Sequence, residues 1–160
     1  MHRKIGPYLD RRPAWARWLH LPVYLLYSNA FWLVSSLGLP PAFIVRLEVR
    51  GRRSGRVRST VLLWAEQDGE RYLVSVLGEE SEWVRNVRAA GGDATIRHGR
   101  RQRVRLVEVP VNQRAPALKA YLKRALGARP LFEVDHKASS EEFERIAPKY
   151  PVFRIVSSAD

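Results

Sequence analysis

The chain has 160 residues, enough for one domain with a proper core and short for two. At 46% hydrophobic residues it is globular rather than disordered, and the absence of cysteine excludes disulfides, thiolate catalysis, Fe–S clusters and Cys-based zinc sites. A net charge of +12 points to an anionic partner without choosing among nucleic acid, an anionic membrane face and a multiply charged small ligand.

Residues 1–18 form a basic head, with Arg3, Lys4, Arg11, Arg12 and Arg17 against Asp10. From Trp18 to Val45 there is no Asp, Glu, Lys or Arg, and Val23 to Leu39 is the most apolar run in the chain. A spanning helix needs about 20 apolar residues. This run is shorter, is interrupted by Ser28, Asn29, Ser35 and Ser36, and is bounded by Pro22 and Pro40-Pro41. Two readings are open: a helix buried across one side of the domain, or a helix at a membrane interface anchored by Trp15, Trp18, Tyr24, Tyr27 and Trp32. The division expected is residues 1–40 as head and apolar helix, and 41–160 as the main domain.

After Pro41 the hydrophobic period changes. Val45, Leu47 and Val49 alternate with Arg46, Glu48 and Arg50, which predicts a half-buried strand. It enters the turn Gly51-Arg52-Arg53-Ser54-Gly55, and Val57 to Glu66 leaves it as a strand apolar on both faces from Val61 onward. Gly lets backbone N–H groups approach a ligand closely, and Arg adds planar donors suited to phosphate and carboxylate. From this stretch alone, an anion site and a solvated hairpin turn are both open.

Gln67-Asp68-Gly69 reads as a hairpin turn, followed by a strand from Arg71 to Leu77. Glu79 to Ala90 reads as a helix with Trp83, Val87 and Ala90 on one face and Gly91-Gly92 as its stop. A hairpin of Ala94 to His98 with Gln102 to Val109 follows, then an amphipathic helix from Ala115 to Leu126. Ser139 with Glu142 is a capping box, and Pro151 to Val156 is a last short strand. This order predicts an α+β fold: a single domain in which mostly antiparallel strands form a small, partly open β-barrel with helices packed outside.

Reactive groups are sparse. His2, His20, His98 and His136 are scattered without ligand spacing, so no metal site is expected, and Asp135-His136 reads as a surface loop pair. No Ser occupies a Gly-x-Ser-x-Gly elbow. Glu79, Glu80 and Glu82 gather at a helix N-terminus, where carboxylates favour the dipole. An enzyme built this way needs a cofactor to carry its chemistry.

The ordered pattern Gly51-Arg52-Arg53-Ser54-Gly55, then Arg58, then a strand pair, then Trp83-x-x-Asn86-Val87 resembles the deazaflavin (F420)-dependent nitroreductase and quinone reductase family, within the split β-barrel flavin-binding superfamily. The likeness runs from about Leu47 to Val109, with a looser match upstream to Leu19. It implies a split β-barrel that binds coenzyme F420, with FMN as the alternative cofactor. By position, Arg52, Arg53, Ser54 and Arg58 would hold the cofactor's phosphodiester and polyglutamate tail. Ser75, Val76, Leu77 and Gly78 would line the deazaflavin ring, with Trp83 and Asn86 as the wall of that pocket. The reaction implied is hydride transfer from reduced F420 to a quinone, nitroaromatic or similar small-molecule acceptor. The protein would be cytoplasmic, or peripheral at the inner face of the cell membrane through its N-terminal helix, with no nucleic-acid partner. Two departures stand out. Many members have a Lys after the third strand, where this chain has Glu79 and Glu80, and the tyrosine-rich C-terminal helix of nitro-reducing members is missing. No catalytic residue is assigned, with Tyr150 and Tyr121 left as candidate hydroxyls. These departures support an alternative, a non-catalytic protein of the same barrel that holds a fatty acid, lipid or other anionic amphiphile.

Overall fold

The computed structural model describes residues 42–158. The basic head, the apolar run Val23 to Leu39 and the division near residue 40 lie outside the described residues. Six strands, β1 Ile44–Arg50, β2 Val57–Gln67, β3 Glu70–Val74, β4 Asp93–His98, β5 Arg100–Glu108 and β6 Val152–Ser157, are joined by three helices, α1 Glu82–Ala89, α2 Ala115–Arg124 and α3 Ser140–Ile146. No helix among the described residues is long and apolar enough to cross a membrane.

The strands form a closed barrel in the order β1-β2-β3-β6-β5-β4, with every pairing antiparallel. The element order left the barrel partly open, and the structure corrects this in two places. β6 comes last in the chain yet fits between β3 and β5, a long-range pairing that local sequence does not announce. β4 then closes on β1 through Arg46↔Arg97, Leu47↔Ile96 and Glu48↔Thr95. Closure leaves no free edge among these strands to template aggregation.

Strand alternation sorts the core into two layers. Val45, Leu47, Val49, Trp64, Leu73, Ile96, Val104, Leu106 and Phe153 fill the barrel, and Val84 and Val87 of α1 join them. On the outside of β2, β3 and β6, Ala65, Val74 and Val152 pack against Leu118, Tyr121 and Leu122 of α2 and Phe143 and Ile146 of α3. The two-sided apolar pattern read in β2 thus has a cause: one face lines the barrel and the other seats the helices. Each fully buried side chain of this kind contributes roughly 1.5–3 kcal/mol.

Boundaries moved where backbone partners intervened. β3 stops at Val74: the Ser75 N–H still donates to the Pro151 carbonyl at 2.9 Å, and the chain then turns, with Gly78 N donating back to Ser75 O at 3.2 Å. The helix expected from Glu79 is split: Gly78–Glu80 is a 3-10 turn, Ser81 is extended at φ −61° and ψ 125°, and α1 starts at Glu82. Its buried residues are Val84, Asn86 and Val87, so the inward face is rotated from the expected Trp83, Val87 and Ala90. The Asp68-Gly69 turn and the Ser139–Glu142 capping box are present as read.

Phe153 is 1% exposed and meets Trp83 edge-on, with ring centroids 5.4 Å apart. Phe153→Ala is expected to lower unfolding free energy by about 3–5 kcal/mol, measured by urea denaturation; a change under about 1 kcal/mol would mean the barrel interior is not packed as described.

Candidate functional site

The β1–β2 turn is held by its own backbone: Gly51 N donates to Arg56 O and Gly55 N to Gly51 O, both at 2.8 Å. Gly55 takes φ +68°, and the Ser54 hydroxyl accepts from Arg56 N at 3.3 Å. A Cβ at Gly51 would lie 3.1 Å from both Arg56 O and Ser54 Oγ, so the first glycine of the pattern is needed for space and the second for its backbone angle.

A second set of bonds ties this turn to α1. Asn86 Oδ1 accepts from the Arg52 backbone N at 3.1 Å and from Arg52 Nη1 at 3.2 Å. Glu82 takes the same guanidinium as a fork, at 2.6 Å and 3.3 Å. Asn86 is 6% exposed, a buried amide whose oxygen is committed to the turn. The two halves of the sequence pattern therefore touch. Arg52 is anchored, while Arg53, Ser54, Arg56 and Arg58 are exposed. Among the described residues, no carboxylate pairs with Arg53, Arg56 or Arg58.

The end of β3 reaches the same helix. Ser75 is fully buried; its hydroxyl donates to the Gly78 carbonyl at 2.8 Å and shares a 2.7 Å hydrogen bond with Ser81 Oγ. Gly78 has φ +68°, and a Cβ there would sit 2.8 Å from the Lys149 carbonyl. Val76 packs against the outer core, and Leu77 stands out at 70% exposure. Trp83 lies half-buried against Phe153. Ser75, Gly78, Ser81, Glu82, Asn86 and Arg52 form one connected run around the first turns of α1, with the exposed arginines on one side and Leu77 on the other.

The acids near this run are each matched. Glu79 takes a two-armed contact from Arg88, which holds its carboxyl below the ordinary glutamate range; Arg52 does the same for Glu82. Glu80 pairs with Arg85 at 3.4 Å. Arg88 continues to Glu108 at 2.6 Å, and Glu108 to Arg114 at 3.1 Å. Arg114, 5% exposed, also donates to the carbonyls of Val109, Ala147 and Tyr150 at 2.9, 3.2 and 3.4 Å. Sequence reading missed both this buried cation and the Glu82 contact. The only hint was an Arg directly before an apolar helix start, where a cap is expected.

Tyr150 and Tyr121 lie in the outer core, 6% and 5% exposed. The Tyr150 hydroxyl donates to the Leu131 carbonyl at 3.3 Å, its ring stacks on Phe132, and burial pushes its pKa up to about 12, with Glu133 adding to the shift. At the opposite end of the barrel a cleft of about 490 Å³ is lined by Ala42, Phe43, Trp64, Glu66, Arg71, His98 and Arg124, and by none of the predicted cofactor residues.

Two outcomes follow from this geometry. Asn86→Ala leaves the Arg52 amide without its acceptor and is expected to cost about 1–3 kcal/mol; Asn86→Asp, which keeps the oxygen, should recover most of it in the same denaturant titration. Raising pH ionises an unfolded tyrosine near 10 but Tyr150 in the folded chain only near 12. Its contribution is therefore fully present below pH 10 and is lost as pH rises towards 12, by roughly 2–3 kcal/mol. Unfolding titrations across that window should show the loss in the parent and a smaller one in Tyr150→Phe.

No curated protein matches the sequence. Among solved structures, the chain is similar to the protein Atu2129 from Agrobacterium tumefaciens str. C58, at 13% identity and TM-score 0.53, over 72% of this chain and 48% of that one. This chain thus spans about half the length of Atu2129. It is similar to the conserved hypothetical protein Rv2991 from Mycobacterium tuberculosis at 13% identity and TM-score 0.51, over 79% of each chain. At such identities these likenesses show the fold. The profile of the family described as F420H(2)-dependent quinone reductase matches residues 37–139. That span is more than half of the chain and takes in the arginine turn, the end of β3 and α1. The chain belongs to the F420H(2)-dependent quinone reductase family, oxidoreductases whose cofactor is coenzyme F420.

Proposed function

We propose that the chain reduces a quinone with reduced coenzyme F420, and that the β1–β2 turn and the first turns of α1 hold the cofactor. The observation that carries this reading is a turn fixed in place by α1 whose outward arginines, Arg53, Arg56 and Arg58, have no carboxylate partner among the described residues. A phosphodiester and polyglutamate tail is the kind of anion that forked donors bind. The fit is chemical as well as positional, because Glu79, Glu80 and Glu82 are matched by Arg88, Arg85 and Arg52 and so oppose an incoming anion less than bare carboxylates would. When bound, the cofactor supplies the hydride. In this reading Arg53 and Arg58 bind its anionic end, Ser54 adds a hydroxyl, and Asn86 and Arg52 position the turn. Ser75, Gly78 and Val76 shape the strand end beside the ring, with Leu77 and Trp83 as apolar surface that keeps water from it.

A quinone is favoured over a nitroaromatic by the family's own description and by an apolar, aromatic-flanked run in the sequence from Val23 to Leu39, suited to reaching a lipid-soluble acceptor at the inner face of a membrane. The binding-protein alternative is supported by both candidate phenols being buried. Titration with oxidised F420 followed by quinone reduction with reduced F420 separates the two. The reductase reading expects saturable binding and turnover. It also expects Arg53→Ala with Arg58→Ala to weaken binding about 10- to 100-fold. Absence of saturable binding, or an unchanged affinity in that double variant, would defeat it; fatty-acid binding without turnover would favour the alternative.

A further inference from the structure

A second basic surface lies on the outside of the barrel, on β1, β4 and β5. Val45, Leu47 and Val49 of β1 point inward, so Arg46, Glu48 and Arg50 point outward. The register places Arg46 beside Arg97 and Arg97 beside Arg101, three arginines in one row across three neighbouring strands. The next row sets Glu48 beside Thr95 and Thr95 beside Arg103, and beyond it Asp93 faces Arg105. Arg97, Arg101, Arg103 and Arg105 are all exposed.

Directly opposed like charges about 5 Å apart destabilise a sheet. Glu48 relieves only Arg101, through contacts at 2.9 and 2.5 Å. Among the described residues Arg46, Arg97 and Arg103 have no acidic partner.

We propose that this outer face of β1, β4 and β5 docks the protein on an anionic phospholipid surface. Charge complementarity is the first argument: exposed guanidinium groups on the outside of the barrel meet lipid phosphates without needing a groove. The second is position along the chain. In the sequence the apolar run Val23 to Leu39 lies just ahead of β1 Ile44–Arg50, which carries Arg46, and a basic patch next to an apolar stretch suits an anionic membrane surface. Nucleic acid fits less well. The outward residues of these strands include no aromatic side chain on which bases would stack, and the face presents no helix to a groove.

The test is flotation of the full chain with vesicles of phosphatidylcholine alone and of phosphatidylcholine containing phosphatidylglycerol. The parent is expected to bind the anionic vesicles preferentially and to lose that preference at high salt. Arg97→Glu with Arg103→Glu should weaken binding to anionic vesicles about 100-fold. Lys123→Glu with Lys137→Glu, the same charge change on the helical side, should keep most of it. Arg97→Gln with Arg103→Gln removes the repulsion instead of reversing it. This variant is expected to be folded, at least as heat-stable as the parent and still deficient on vesicles, so misfolding cannot account for the loss. F420 affinity should be unchanged in all of these, since none touches the turn. Parent-like vesicle binding by the Arg97/Arg103 variants would overturn the proposal, as would equal binding of the parent to both vesicle types. So would a DNA duplex that displaces the parent from vesicles at physiological salt and is itself no longer bound by the Arg97/Arg103 variants.

Discussion

The bond from Arg52 to Asn86 is the contact on which the site depends. A Gly-rich turn at the end of two strands has little to hold it in one shape, because both glycines widen its unfolded ensemble. Asn86 removes that freedom by accepting from the turn's backbone and from its first arginine side chain, while Glu82 fixes the guanidinium from the other side. α1 can do this because Val84 and Val87 anchor it in the barrel interior. Packing thus positions the helix, the helix positions the turn, and the turn presents its remaining arginines.

That arrangement divides the charges by task. Arg52, Arg85, Arg88 and Arg114 are spent inside the protein, matching Glu82, Glu80, Glu79 and Glu108 and satisfying carbonyls behind α2. The glutamates after β3 stand where many relatives of the resembled family have a Lys, yet none of them is left bare. They are members of a network that runs from the turn to the core. Because Arg88 and Arg52 hold Glu79 and Glu82 below the ordinary glutamate range, these pairs persist until the solution is acid enough to protonate them. The arginines left over are those of the turn and those of the outer sheet face, two surfaces with different partners in this account.

Much of this was legible in the residues. Alternation in Val45 to Arg50 and the two-sided apolar run of β2 marked the barrel wall, the Asp68-Gly69 pair marked a hairpin, and Ser139 with Glu142 marked a helix start. The spaced pattern from Gly51 to Asn86 points to the family by itself. What could not be read was long-range. Nothing local to Val152–Ser157 says that it pairs between β3 and β5. The place of Arg114 before an apolar helix hints at a cap, but nothing local says that it is buried against three carbonyls. The inward face of α1 is Val84, Asn86 and Val87 rather than the Trp83, Val87 and Ala90 that the spacing predicts. In the structure Asn86, a polar residue whose oxygen the turn requires, takes a buried place and Trp83 is left at the rim.

The most direct test of the central contact is amide hydrogen exchange at Arg52 in the full chain without cofactor, read by NMR beside Arg53 as an internal reference. If Asn86 holds the turn, the Arg52 amide is protected, that protection disappears in Asn86→Ala, and Arg53 exchanges freely in both. An Arg52 amide that exchanges as fast as Arg53 in the parent would contradict the account, because the turn would then be unanchored.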